Sequence, residues 1–225
     1  MKKLIVLVMV LSLALAVSAS ADIIAQWNFN TQATLSSPST GTGTMSFLGN
    51  ATAASSGAWS THYVSNTNKS SDPIAGPSPN QYGAYNTANY ITIGSGVAFA
   101  VSTVGYENIT VSLDAKRSGT GPSNMKWIYS TDGSNWIESG VFANLTSDAW
   151  FNGFILDLSS ISAAANNPNF IVGFVSNATY GSTGTIRYDM VTISGDQVVI
   201  PEPGTIVALG SGLVGIAGVA IRRRK

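Results

Sequence analysis

The sequence predicts an all-β protein, an antiparallel β-sandwich or barrel. Three observations carry that expectation. Between residues 22 and 199 the apolar residues fall in short runs, several of period two, broken by Gly, Pro, Asn and Asp turn signals. A helical period is nearly absent from the same region. Ser, Thr, Asn and Gly dominate and only 10% of the chain is charged, a composition that favours strands and turns over helices.

The elements follow in order. From Ile23 to Asn30 the chain alternates, with Ile23, Ala25, Trp27 and Phe29 on one side and Gln26, Asn28 and Asn30 on the other, as in a half-buried strand. From Thr31 to Ala88 the pattern weakens. Short strands are expected at Thr44 to Leu48 and Trp59 to Val64, and loops at Ser71-Asp72-Pro73 and Gly76 to Asn80. After Asn89 it sharpens. Tyr90 to Ile93 reads as a strand, and Asn108 to Ala115 is the clearest one, with Ile109, Val111, Leu113 and Ala115 facing inward. Met125 to Ser130 and Trp136-Ile137 flank Asp132-Gly133, a hairpin signal. Phe154 to Leu158 is a further strand, and Ser159 to Asn167 allows a turn or two of helix. Phe170 to Val175 reads as a strand buried on both faces. Thr185 to Gly195 has apolar residues on both faces, so either both are covered or a bulge intervenes.

The two ends carry a different kind of information. Lys2-Lys3, the apolar run Leu4 to Val17 and the small residues Ala19-Ser20-Ala21 have the layout of a secretory signal peptide over residues 1–21, cut before Asp22. Its partners would be the Sec translocon and signal peptidase. At the other end, Pro201-Glu202-Pro203 cannot join a helix interior or a sheet ladder. Thr205 to Ile221 is uncharged and reaches roughly 26 Å as a helix, enough to cross a thin hydrocarbon core. Arg222, Arg223, Arg224 and Lys225 form the basic cluster that stays on the cytoplasmic side. Gly210, Gly212, Gly215 and Gly218 each weaken such a helix by about 1 kcal/mol relative to Ala, as suits a span that is gripped and then discarded. The domains expected are therefore 1–21, an exported sandwich over 22–199, and a tail over 200–225.

In this order, at the C-terminus, the three parts of the tail closely resemble the PEP-CTERM sorting signal of exopolysaccharide-producing Gram-negative bacteria. The resemblance implies that exosortase, an integral-membrane cysteine protease, cuts near the proline pair. The protein would be anchored in the inner membrane for a time, then reach the cell surface, outer membrane or medium. The stretch from Ile109 to Gly195 also resembles jelly-roll, lectin-like domains of exported bacterial proteins. The matching pieces are Ile109 to Leu113, Tyr129 to Trp136 and Arg187 to Gly195. That resemblance implies a sandwich of jelly-roll type, shared with carbohydrate-binding modules. It also brings in a structural Ca²⁺, for which Asp189 and Asp22 are candidates; the alternative for each is an ordinary hydrogen-bonded or solvated Asp.

Charge and composition exclude several function classes. Residues 22–199 hold five basic and ten acidic residues, a net charge of −5, which argues against nucleic acid and anionic membrane surfaces as partners. There is no cysteine, so thiol catalysis and disulfides are excluded. His62 is the only histidine, which removes a His-based triad or a multi-histidine metal site. Glycan hydrolysis needs two carboxylates across a cleft. Asp114, Asp132, Glu138, Asp148, Asp157 and Asp189 are available, but Asp132 fits a turn and Asp157 the outward side of its strand. No catalytic residue is assigned, and no enzymatic activity is expected.

Sugar binding calls for exposed aromatic rings. Trp59, Tyr63, Tyr82, Tyr85, Trp136 and Trp150 sit in loop-like or strand-end settings, with Trp59, Tyr63, Trp136 and Trp150 the best placed; Trp27 and Trp127 sit within apolar alternation and belong to the core. The sequence thus leads to an exported, surface-sorted, non-enzymatic protein, a structural or adhesive component of an exopolysaccharide or biofilm matrix. The alternative is a carbohydrate-binding module with a defined site, and a glycan hydrolase comes last.

Overall fold

The computed structural model describes residues 21–31, 35–55, 59–63, 69–73, 81–146 and 148–198. The signal-peptide region and the tail, including Pro201, Glu202, Pro203, the 205–221 run and the basic cluster, lie outside the described residues. The strands are β1 Asp22–Trp27, β2 Thr40–Gly41, β3 Thr44–Leu48, β4 Thr52–Ala53, β5 Trp59–Tyr63, β6 Gln81–Ala88, β7 Gly96–Val101, β8 Tyr106–Arg117, β9 Asn124–Ser130, β10 Ile137–Asn144, β11 Trp150–Asp157, β12 Phe170–Ser176 and β13 Ile186–Gln197. One turn of 3₁₀ helix, Ser162–Ala164, stands where the Ala-rich stretch allows it.

Two sheets face each other. The larger runs β11-β8-β13-β1-β2 and gains β6, which carries β4 and β5; the smaller runs β10-β9-β12-β7-β3. The strand pairs are antiparallel, as in β13 with β8 and β12 with β9. The fold is therefore an antiparallel β-sandwich.

The period-two residues meet between the sheets. Trp27 of the larger sheet packs on Phe99 of the smaller with ring centres 4.9 Å apart, and Phe174 meets Tyr188 edge-on at 6.2 Å. Trp127 adds an edge contact to Phe174 at 4.8 Å. Such pairs add to the area term that dominates burial. The two fully buried phenols are paired within the core: Tyr188 to Tyr90 at 2.7 Å, Tyr90 to Thr87 at 2.5 Å, and Thr87 Oγ1 donating to the Ile186 carbonyl at 3.1 Å.

β12 is buried on both faces, as its unbroken apolar run predicts. The reason is Gly173: a Cβ there would lie 2.9 Å from Ile128 Cγ1 and 3.0 Å from Leu48 Cδ1, so neighbouring side chains close over the strand. β13 resolves its two-faced pattern by a bulge. Met190 takes φ +48°, and the register to β8 slips between Asp189 and Thr192. The same kink lets β13 change partners, pairing with β6 over Ile186 to Tyr188 and with β1 over Val191 to Gly195.

Several local expectations are corrected. Ile23 is exposed rather than inward, because a bulge between Ile23 and Ala25 turns Ile24 in instead. Tyr90 to Ile93 is a turn, not a strand. Asn89 and Gly94 both take positive φ, Thr92 and Ser95 hydroxyls bond each other at 2.9 Å, and Ile91 and Ile93 are exposed. β6, β7 and most of β10 lie where no strand was expected, and β11 starts four residues earlier than Phe154.

Candidate functional site

The most unusual chemistry in the described residues lies on the outward side of the larger sheet. Leu113 and Ala115 face the core, so Asp114 between them points away from it. Asp189 is its cross-strand partner on β13. Both are nonetheless buried, at 2% and 0% exposure, because residues 69–73 cross over them as a strap. Asp189 Oδ2 accepts from Ser70 Oγ at 2.5 Å and its Oδ1 from the Met190 amide at 2.7 Å. Asp114 Oδ2 accepts from the Ser71 amide at 2.5 Å and its Oδ1 from the Gly153 amide at 2.8 Å. Asn30 Nδ2 donates to Asp72 Oδ2 at 2.6 Å, and Asn152 Nδ2 donates to the Lys69 carbonyl at 3.1 Å. Bulges in β13 and β11 turn the Met190 and Gly153 amides toward the two carboxylates.

Burial pushes the Asp189 carboxyl well above the usual carboxylate range. The neighbouring Asp72 and Asp114 push the same way, against the pull of Ser70 and the Met190 amide. Asp22 does not join this group. It stands exposed opposite Gly195, six residues along β13 from Asp189, or roughly 20 Å. The Asp22–Asp189 pairing for Ca²⁺ is thus not assembled. Among the described residues no three His, Asp or Glu side chains converge as a metal site. Asp189 serves as a hydrogen-bonded anchor for the strap.

The remaining acids are dispersed. Asp132 caps its own turn, accepting from Asn135 Nδ2 at 2.7 Å and from the Asn135 and Ser134 amides at 2.7 and 2.9 Å, which holds its carboxyl below the usual range. Asp157 accepts from the Ser159 amide at 2.9 Å, Glu138 pairs with Lys126, and Asp148 pairs with Lys116 at 3.3 Å. Asp114 and Asp189 are adjacent, but they lie under the strap rather than across an open cleft, so they are not arranged for glycan hydrolysis.

The aromatic candidates separate. Trp136 is 39% exposed in the β9–β10 turn. Trp150 is half-buried at the start of β11, opposite Lys116 near the end of β8. The twelve residues of β8 run between these two ends, roughly 35 Å, so Trp136 and Trp150 form no common platform. Trp59 and Tyr63 lie on β5, with backbones opposite Tyr85 and Gln81. Their side chains, like that of Tyr82, are outside the described residues. Tyr85 is buried against Phe29 at 5.6 Å.

An open groove of about 300 Å³ lies at the Trp136 end, where Thr42, Ser102 and Asn169 line it together with the apolar Val101, Pro168 and Ile171, and Gly133 forms part of its rim. Gly133 belongs to the same turn as Trp136. The turn is braced by Asn167, whose Nδ2 donates to the Thr131 carbonyl at 2.7 Å while its amide donates to Thr103 Oγ1 at 3.0 Å. Sequence reasoning found Trp136 but missed both the groove and the strap, since no local pattern marks either.

Comparison with known proteins adds the following. Residues 199–225 match the family described as the PEP-CTERM protein-sorting motif, so the three-part tail is what its sequence suggests, and it marks an exported, sorted protein. No curated protein matches the chain. Among solved structures, the chain is similar to the CBM22-1 xylan-binding domain of Paenibacillus barcinonensis Xyn10C, with 12% identity and a TM-score of 0.49 over 81% of this chain and 100% of that one. It is similar to the xylan-binding module CBM15, with 13% identity and a TM-score of 0.40 over 69% and 98%. It is also similar to the K2 cleaved adhesin domain of Lys-gingipain, with 11% identity and a TM-score of 0.40 over 78% and 97%.

Proposed function

We propose that this chain is a non-enzymatic, surface-sorted β-sandwich, a structural or adhesive component of an exopolysaccharide or biofilm matrix. It enters the Sec pathway, loses residues 1–21 to signal peptidase, and is held in the inner membrane by residues 205–221. Exosortase then cuts near Pro201-Glu202-Pro203, with Arg222, Arg223, Arg224 and Lys225 as the stop on the inner side. The observation that carries this reading is the sorting motif beginning directly after β13.

Fractionation tests it. The wild-type domain is expected in the outer membrane or medium, associated with polysaccharide. A variant with Pro201, Glu202 and Pro203 all changed to Ala should remain uncut in the inner membrane. A variant that reaches the same fraction as wild type would overturn the sorting half. A wild-type domain that never sediments with exopolysaccharide would overturn the matrix half.

A second reading, a module with a defined sugar site, draws on one observation: the groove, which mixes apolar side chains with Thr42, Ser102 and Asn169, shares a turn with the exposed Trp136. Hydroxyl and amide groups beside an exposed ring suit a sugar face. On a glycan array this reading expects selective binding that Trp136→Ala abolishes and Trp150→Ala leaves intact. Uniform absence of binding would leave the structural role.

A further inference from the structure

The described chain leaves the sandwich at a defined place. The Val198 amide donates to the Gly105 carbonyl at 2.8 Å, so the tail departs beside the β7–β8 turn. β1 begins at the same end, with Asp22 opposite Gly195. Only residues 199–204 separate Val198 from the uncharged run at Thr205. Fully extended, those six residues reach about 20 Å. The sandwich is longer than that. β8 alone, from Tyr106 beside this turn to Arg117 at the far end, covers roughly 35 Å. A tether that short cannot pass around a body that long.

Charge is divided along the same axis. Asp22 and Glu107 are exposed at the tail-bearing end, with Asp196 beside them. At the other end Lys116, Arg117 and Arg187 lie together, but Asp148 pairs with Lys116 at 3.3 Å and Asp114 and Asp189 are close by, so that end is near balance while the tail-bearing end is acidic. Exposed apolar side chains stand at both ends, Val104 at 53%, Trp136 at 39% and Val198 at 38% at the tail-bearing one and Ile91 at 44%, Ile93 at 60% and Phe142 at 54% toward the other. It is the tether and the charge, not apolar exposure, that distinguish the ends.

We infer that the end bearing Val104, Trp136 and Val198 faces the lipid headgroups for as long as the tail is uncut, and that its acidic charge frees the domain once the tail is cut. The short tether enforces the orientation. The acidic end has no attraction of its own for an anionic leaflet, so contact does not outlast the tether. The inference rests on the proposed membrane tail, and the experiment separates the two.

The chain has no cysteine, so single-cysteine variants can each carry one dye. Full-length Val104→Cys, Gly119→Cys and Gly204→Cys are placed in vesicles of phosphatidylethanolamine and phosphatidylglycerol that contain a headgroup quencher. Gly119 is exposed at the far end, with open space around it. The expected result is strong quenching at position 204, and quenching at position 104 several-fold above that at 119. Protease cutting between 199 and 204 should then release the domain to the supernatant. Equal quenching at 104 and 119, or a cut domain that stays on the vesicles, overturns the inference. No quenching at 204 overturns the membrane reading of the tail and the inference with it.

Discussion

The space between the sheets and the space under the strap are both closed to water, yet they are held in different ways. Between the sheets, Trp27, Phe99, Trp127, Phe174 and Tyr188 contribute area and ring contacts, a non-directional force that tolerates small shifts. Under the strap, Asp114 and Asp189 contribute almost no apolar area. They are held by four directional bonds to Ser70, Ser71, Met190 and Gly153. Burial there opposes the charged form of Asp189. The lesson is that one sheet can be sealed on its inner face by the hydrophobic effect and on its outer face by hydrogen bonds, and the two seals should fail differently.

The largest effect is expected in the core. Trp127→Ala should cost about 3–5 kcal/mol of unfolding free energy in urea, through a cavity beside Phe174. A loss below about 1 kcal/mol would break the claim that the interior dominates.

Asp114→Ala comes next. It leaves the Ser71 and Gly153 amides without their carboxylate partner, at a cost of about 1–3 kcal/mol. Its signature is local, with hydrogen exchange accelerated at Ser71 and Gly153 while the core amides keep their protection. Uniform acceleration would merge the two regions into one cooperative unit.

Asp189→Asn sharpens the comparison further. The folded carboxyl is raised, so its contribution is full below the ordinary carboxylate pKa and is lost as pH rises through the raised value. Asp132 and Asp157, whose carboxyls are lowered, add stability as pH rises through the acid range, so the Asp189 contribution shows as a decline in wild-type stability above the ordinary carboxylate range, toward neutral pH. The Asn variant, which keeps groups for Ser70 and Met190, should flatten that decline. A steeper decline in the variant would contradict it. Ca²⁺ that raises Tm in wild type but not in the variant would replace hydrogen bonds with metal ligation as the seal.

The smallest effect belongs to Asp132→Ala. This exposed carboxylate organises its own turn and beyond it accepts only from the Ser130 hydroxyl at the end of β9, so the urea midpoint should move little while the Ser134 and Asn135 amide signals shift. A clear drop in stability would give that turn a share in the core.

Much of the fold was legible because strands announce themselves locally. β1, β3, β5, β8, β9, β12 and β13 each carry a pattern within a few residues, and the bulge in β13 showed as apolar residues on both faces. β6 was hidden because Gln81 to Ala88 alternates weakly, and β10 because Gly140 takes φ +76° inside a register slip. The expected strand at Tyr90 to Ile93 failed for the opposite reason. Its residues suit a strand, but Ser95 and Ser176 hold the chain in a turn, with the Gly94 amide donating to the Ser176 carbonyl at 2.9 Å. Of the site residues, Trp136 proved exposed and Asp189 proved buried, and nothing in the sequence separates those outcomes.

The amino-acid sequence by itself determined the strand-rich interior and the tail, because alternation and the order of proline pair, apolar run and basic cluster are properties of contiguous residues. Only the tertiary structure decided which carboxylates are buried, where the strap lies and from which end the tail departs. Ser70 and Asp189 are 119 residues apart in the chain, and Ser71 and Asp114 are 43 apart. A hydrogen bond between distant residues leaves no period to read, since its partners become neighbours only after the sheets have packed.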